Sequence, residues 1–173
     1  MPTVRIGFTM SDWWVSKVIA YFTKAKVSHA YLVFDDPGCL FGAEVFEAAW
    51  CGFRISTRSI LTRGTTRIVQ EIPVAIDPSA ALGVCERWAG TPYDYLGLLG
   101  EAVVQVGRLF GKRWRNPFAG AHHMFCSEAC VYVLAACGDP RVAGLDARST
   151  SPEDLLEVLS VPAHPVAAVE GVQ

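Results

Sequence analysis

The hydrophobic pattern at the start of the chain changes from the period of a strand to that of a helix. In TVRIGFTM, residues 3–10, every second residue is apolar, which is typical of a half-buried strand. In SDWWVSKVIAYFTKAK, residues 11–26, apolar side chains recur three and four positions apart, and Ser11 can cap a helix. The first two predicted elements are therefore a strand and a helix.

The next part of the chain is β-rich. VSHAYLVF, residues 27–34, predicts a strand that the turn residues DDPG stop, and AEVFEAAW, residues 43–50, predicts a third strand in a hairpin with it. FRISTRSIL, residues 53–61, and TTRIVQEIPVAI, residues 65–76, continue in β-rich chemistry. We expect these segments to form one small sheet.

Three helices are predicted from their caps. DPSAALGVCERWAG, residues 77–90, has Asp77 as a cap and proline at the first helical position. CSEACVYVLAACGD predicts a helix that ends at Gly138, and TSPEDLLEVL predicts a short helix capped by Ser151, with Asp154 completing a capping box. A sheet followed by helices is typical of the α+β class.

Length and composition favour one domain. The 173 residues suffice for a single core, which we place at residues 1–160, followed by a C-terminal tail at residues 161–173. The chain is 51% hydrophobic and 18% charged, so part of the apolar excess is available for a groove or a partner.

Several classes are disfavoured by charge and by the N-terminus. No run of eighteen apolar residues exists, and the first residues lack the basic head and apolar stretch of a signal peptide, so we expect a cytoplasmic location by default. A net charge of -2 argues against broad nucleic-acid binding. The six cysteines are scattered through apolar stretches, so we expect no disulfide framework.

One segment, residues 108–118, is both basic and aromatic. Its cations interleave with large apolar rings: Arg108, Lys112, Arg113 and Arg115 with Phe110, Trp114 and Phe118. Such a segment is either a solvated helix end with aromatic anchors or a surface that lines a groove or contacts a membrane.

The richest chemistry lies in HHMFCSEAC, residues 122–130. His122, His123, Cys126 and Cys130 offer four zinc ligands, but they come from one stretch rather than from two separated pairs. Cys126 alternatively begins a helix, where the dipole and the free backbone N–H groups lower a thiol pKa and can hold an oxyanion. Cys130 lies one turn further in, which favours core packing.

A nucleophilic thiol needs a base and a group that orients the base. His29 lies on a predicted strand, whereas His164 lies in the tail and the two histidines beside Cys126 are too near it in sequence. The neighbouring strand carries Glu44 and Glu47; a tight loop would pair position 29 with 44, and a longer loop would pair it with 47. The spacing alone leaves both open.

The order of these motifs carries a resemblance to a known family. The chain runs SKVIAYFTKAKVSHAYLVF, VFEA, GTPYDY, FCSEAC and SPEDLLE over residues 4–157. In this order it resembles the circularly permuted papain-like thiol hydrolases, specifically the YiiX-like branch related to the NlpC peptidoglycan amidases. The resemblance implies a permuted papain-like fold, in which a small antiparallel, barrel-like sheet packs against helices.

The resemblance also implies roles for four residues. Cys126 would be the nucleophile, His29 the base, Glu47 the polar third residue, and Tyr93 a support for the substrate or oxyanion, unless Tyr93 is simply a half-buried aromatic. It implies no cofactor, and as substrates it implies cell-wall peptides or acyl amides or esters of lipids. The long interval before Cys126 suggests an inserted helix or lid at residues 101–121.

Two other classes compete with a hydrolase or acyltransferase. A binding module on the same frame would have an ordinary thiol at Cys126. A structural zinc protein would use His122, His123, Cys126 and Cys130.

Overall fold

The computed structural model describes most of the chain. The described residues are 3–11, 25–35, 44–49, 51–94, 100, 103, 104, 107, 110–112, 114 and 124–161. Most of the predicted helix at residues 11–26 lies outside them, as does the tail beyond residue 161.

In the described part of the chain, five antiparallel strands form one sheet. The strands are β1 (Thr3–Met10), β2 (His29–Asp35), β3 (Glu44–Ala49), β4 (Gly52–Thr57) and β5 (Arg67–Val74). Their spatial order is β4-β3-β2-β1-β5, so β2 lies at the centre, and the predicted hairpin of β2 and β3 is confirmed.

Helices follow and interrupt the sheet. The helices with described bounds are α1 (Arg58–Leu61), α2 (Pro78–Trp88), α3 (Cys126–Ala136) and α4 (Pro152–Ser160), with 3-10 turns at Pro140–Val142 and Ala147–Ser149. The α+β class predicted from the sequence is confirmed.

The predicted caps form as the sequence indicates. Asp77 accepts hydrogen bonds from the N–H groups of Ser79 and Ala80 at 3.3 and 3.1 Å, which fixes the start of α2. Ser151 and Asp154 make a reciprocal capping box at the start of α4. Gly138 follows α3 with φ +77°, a conformation that favours glycine.

Residues 58–61 were predicted as strand but form α1. Leu61 is buried there, in a small cluster with Tyr31, Val33 and Val45 of the central strands. The Arg58 guanidinium also donates to Glu71 at 2.8 Å. Both partners are distant in sequence, so burial against the sheet outweighs the local β-rich pattern.

The main core lies on one face of the sheet, beneath α3. Strand residues Phe8, Leu32 and Phe46 are buried there together with Val133 and Leu134 of α3. Because α3 packs on the central strands, its first residue is fixed relative to β2.

A short extended segment ties β4 to the start of α3. Phe53 donates to the carbonyl of Thr91 at 2.8 Å, and Gly52 approaches so closely that a Cβ would lie 2.6 Å from that oxygen. Gly52 also has φ +107°, so glycine is required there. Further along, Tyr93 pairs with Met124 in an isolated parallel bridge. The hairpin of β3 and β4 is thereby connected to the residues that precede Cys126.

Candidate active site

Cys126 and His29 are each the first residue of a structural element. Phe125 is the extended N-cap of α3, and the Glu128 carboxylate accepts a hydrogen bond from its N–H at 3.4 Å. This leaves Cys126 buried in the first turn, where the helix dipole favours a negative charge. His29 begins β2 opposite Thr9, and its side chain is 21% exposed.

The Cys126 thiol and the His29 imidazole shift each other's pKa. Burial raises the pKa of the Cys126 thiol. The hydrogen bond to His29, the positive charge of His29, and hydrogen bonds with the backbone of Ala30 and Ser127 lower this pKa by more, so the net pKa is lowered. Burial lowers the pKa of His29, whereas its hydrogen bonds to Cys126 and Glu47 and their charges raise it more, so the net pKa is raised. This arrangement favours a thiolate beside an imidazolium.

Glu47 holds the other side of the imidazole. Its Oε2 lies 3.0 Å from Nε2 of His29, and the carboxylate is only 5% exposed. Since Nε2 faces Glu47, Nδ1 is the ring nitrogen available to Cys126. The structure thus brings together all three residues of the predicted triad.

The strand register differs from both alternatives that the sequence left open. Leu32 lies opposite Phe46 and Phe34 opposite Glu44, so position 29 is paired with neither 44 nor 47. Continued along the strands, this register places Glu47 opposite Tyr31, two residues from His29 on the same face. Glu47 therefore reaches the imidazole diagonally, which a long side chain can do.

Sequence reasoning missed Arg54 of β4, which contacts the same carboxylate. Its Nε and Nη2 donate to Oε1 of Glu47 at 3.2 and 2.9 Å. The two residues are cross-strand partners, and only positions 50 and 51 lie between the paired residues Ala49 and Gly52. Folding the chain about this two-residue turn would have predicted the contact.

The environment keeps Glu47 ionised. Burial raises the pKa of its carboxyl, but hydrogen bonds and charges of His29 and then of Arg54 outweigh burial and lower it to about 2. A carboxylate that is ionised at neutral pH fixes the orientation of the imidazole and stabilises its protonated form.

An aromatic side chain lies beside the imidazole. Tyr31 is fully buried, and its ring stacks with that of His29 at a centroid distance of 6.4 Å and an angle of 18°. Tyr31 occupies the space above Gly7, where a Cβ would lie 2.1 Å from its Cζ. The position of His29 therefore depends on glycine in the neighbouring strand.

The backbone of Tyr93 lies near the thiol helix. Tyr93 bridges Met124, two residues before Cys126, and its side chain packs against the core. This half-buried position is compatible with either of the two roles considered for it, and its support of substrate or oxyanion stays a prediction.

Of the four zinc ligands considered, the structure describes two. Cys126 faces His29, and Cys130 is buried in the core, where burial raises its thiol pKa well above the ordinary value. His122 and His123 lie outside the described residues. Within the described part of the chain, no group of three or more His, Cys, Asp or Glu side chains could hold a metal ion.

The basic and aromatic segment is described in part. Residues 100, 103, 104 and 107 are helical, and Phe110 and Trp114 are 75% and 49% exposed. None of the described helices is long and apolar enough to cross a membrane.

Comparisons with known proteins identify no relative of this chain. The chain matches no protein-family model, no curated protein and no solved structure.

Proposed function

We propose that the chain is a cysteine-dependent hydrolase or acyltransferase that acts on an amide or ester bond, on a circularly permuted papain-like fold. The observation that carries the proposal is the chain of contacts from Cys126 through His29 to Glu47. It joins a buried thiol of lowered pKa to an imidazole that a buried carboxylate holds. These three residues come from three elements and meet where α3 begins.

The first half of the proposed reaction forms a thioester. The Cys126 sulfur attacks the carbonyl carbon, and the electron pair of the C=O bond moves to the oxygen. The N–H groups at the start of α3 can stabilise this oxyanion, an interaction worth about 3 kcal/mol in other enzymes. When the C=O bond re-forms, the amine or alcohol leaves with the proton of the His29 imidazolium.

The second half releases the acyl group. Neutral His29 takes a proton from water, or from an acceptor alcohol or amine, as that molecule attacks the thioester carbon. The C–S bond breaks, the thiolate returns and the imidazolium is restored, while Glu47 keeps the ring oriented. These steps use only groups of the chain, the substrate and the acceptor.

The substrate is proposed as a peptide or an acyl-lipid. Contact with an anionic membrane surface is part of this proposal, because exposed Phe110 and Trp114 accompany four cations between residues 108 and 115. Vesicles with and without an acidic lipid test it by co-sedimentation. Replacement of Phe110 by Ser should weaken binding to acidic vesicles severalfold, whereas the same change at exposed Ile55 of β4 should not.

The first test measures the thiolate. The alkylation rate of Cys126 is followed against pH by peptide mapping, in the unchanged protein and in His29→Ala. We expect an apparent thiol pKa well below the free value of about 8.5 and a rise when His29 is removed. A Cys126 pKa that is ordinary and does not change in His29→Ala would favour a binding module. Stoichiometric zinc bound through His122 or Cys130 would favour a structural zinc protein.

The second test measures acyl transfer. Incubation with activated esters and anilides should leave an acyl group on the Cys126 peptide, detected by mass spectrometry. Cys126→Ala should abolish it, whereas Cys130→Ala removes a buried core thiol and serves as the matched control. Acylation that persists without Cys126 would refute the proposed nucleophile.

A further inference from the structure

We propose that Arg54 is a positioning residue of this site, supplying the second positive charge that allows Cys126 and Glu47 to be ionised together beside one imidazolium. The inference rests on the proposed function and deepens it. Arg54, which contacts Glu47 of the proposed triad, thereby influences the ionisation of the Cys126 thiol.

The geometry separates the two contacts of Glu47. Arg54 donates through Nε and Nη2 to Oε1, at 3.2 and 2.9 Å, while Nε2 of His29 lies 3.0 Å from Oε2. Each carboxylate oxygen thus has its own cation, and neither contact displaces the other. The planar fork of arginine suits this approach better than the single ammonium of lysine.

The charges explain why a second cation is needed. A thiolate, an imidazolium and a carboxylate together carry one excess negative charge, and Cys126 and Glu47 are buried. An uncompensated buried charge is costly, and the group that most readily relieves it is the weaker acid, the thiol. With the Arg54 guanidinium, the four groups sum to zero and the thiolate can persist.

The groups around Arg54 leave this balance intact. Besides their effect on each other, the leading side-chain influences on the pKa of Arg54 and Glu47 come from Cys51, an exposed thiol in the turn between β3 and β4, and from His29, respectively. On the α3 side, Cys130 interacts with Cys126 but has a thiol pKa raised well above its ordinary value, so it is neutral.

The test compares two arginines of similar exposure. Arg54 is 34% exposed and Arg58, which pairs with Glu71 instead, is 37% exposed. Arg54→Gln should raise the apparent pKa of Cys126 by about one unit and slow its alkylation at pH 7 about tenfold. Arg58→Gln should leave both unchanged, and Arg54→Lys should restore most of the rate because it keeps the charge. Circular dichroism and urea unfolding establish that each variant is folded.

A double variant separates charge balance from a general structural effect. In a Glu47→Gln background the carboxylate that Arg54 contacts is absent, so adding Arg54→Gln should raise the Cys126 pKa by much less than it does in the unchanged protein. A purely structural role would slow alkylation equally in both backgrounds and would overturn the inference. If the Cys126 pKa is lowered but Arg54→Gln does not change it, the inference about Arg54 is also overturned. The proposed function then remains intact. An ordinary Cys126 pKa in the unchanged protein would overturn both.

Discussion

Two clusters of charged side chains lie on the same part of the sheet. They differ in whether their members can exchange a proton. The first, which we call the active-site cluster after the proposed function, consists of Cys126, His29, Glu47 and Arg54. The arginine cluster consists of Arg5, Arg58, Asp35, Glu71 and Tyr31; both guanidiniums contact Glu71, at 3.0 and 2.8 Å, and the tyrosine hydroxyl donates to it at 2.9 Å. Arg5 also pairs with Asp35.

In the charge state that we propose for the site, both clusters balance two cations against two anions, which lowers the cost of burying the charges. In the arginine cluster all four charges are those of strong bases and carboxylates, and Tyr31 stays protonated because burial and then Glu71 raise its pKa above the ordinary range. In the active-site cluster, as proposed above, one cation is an imidazolium and one anion is a thiolate. The same electrostatic rule therefore gives a fixed structural network in one place and a proton-exchanging pair in the other.

The largest expected effect is the loss of stability on removing the centre of the arginine cluster. Glu71→Ala leaves Arg5, Arg58 and Tyr31 without their shared acceptor and should lower the free energy of unfolding by about 4 kcal/mol. Urea unfolding measures this change. Exposed Glu86 of α2 is the control, since Glu86→Ala should cost less than about 0.5 kcal/mol. Cys126 alkylation that fell with Glu71→Ala would contradict the separation of the two clusters.

Acid should weaken the active-site cluster next most strongly. The pKa of Glu47 is lowered from 4.5 to about 2, so its contribution to stability is present above pH 4.5 and is lost as the pH falls toward 2. The full contribution is about 3 kcal/mol. Urea midpoints between pH 5 and 3 should therefore fall less in Glu47→Gln than in the unchanged protein. Equal slopes would show that the Glu47 carboxyl is not the group protonated there.

Gly7→Ala should disturb both clusters at once. A methyl group at Gly7 would overlap Tyr31, which stacks on His29 and donates to Glu71. We expect a loss of about 2 kcal/mol in unfolding and a severalfold slower alkylation of Cys126. In Gly83→Ala of α2 the new Cβ meets nothing within 4 Å, so that variant should be as stable or more stable. Unchanged alkylation in Gly7→Ala would show that Tyr31 does not position His29.

The sequence predicted the elements better than their pairing. Alternation and caps are local signals, so β1 was predicted with its observed bounds and α4 with its capping box. Register depends on a loop between β2 and β3, and loops that differ by a few residues close at nearly the same free energy. Spacing therefore left both Glu44 and Glu47 open as the partner of His29, and only the resemblance singled out Glu47.

Two features missed by sequence reasoning, the Arg54 contact in the site and helix α1 outside it, have different causes. The contact of Arg54 with Glu47 follows from the two-residue turn between β3 and β4, a local feature that the sequence contains. By contrast, α1 forms because Leu61 and Arg58 find partners in distant strands, which no local pattern contains. Within the triad, too, Cys126 lies about a hundred residues from His29, so its position could be predicted only through the resemblance.

The smallest expected effect is also the most selective test of the two clusters. Tyr31→Phe removes the hydroxyl that donates to Glu71 at 2.9 Å but keeps the ring that stacks on His29. The unfolding free energy should fall by about 1 kcal/mol, the usual worth of one such hydrogen bond. The alkylation rate of Cys126 and its pH dependence should stay unchanged, because the stacking ring and all four charges of the active-site cluster remain. A shifted alkylation profile would mean that Glu71, now with one donor fewer, acts on His29 electrostatically through the sheet, and the two clusters would then form one network.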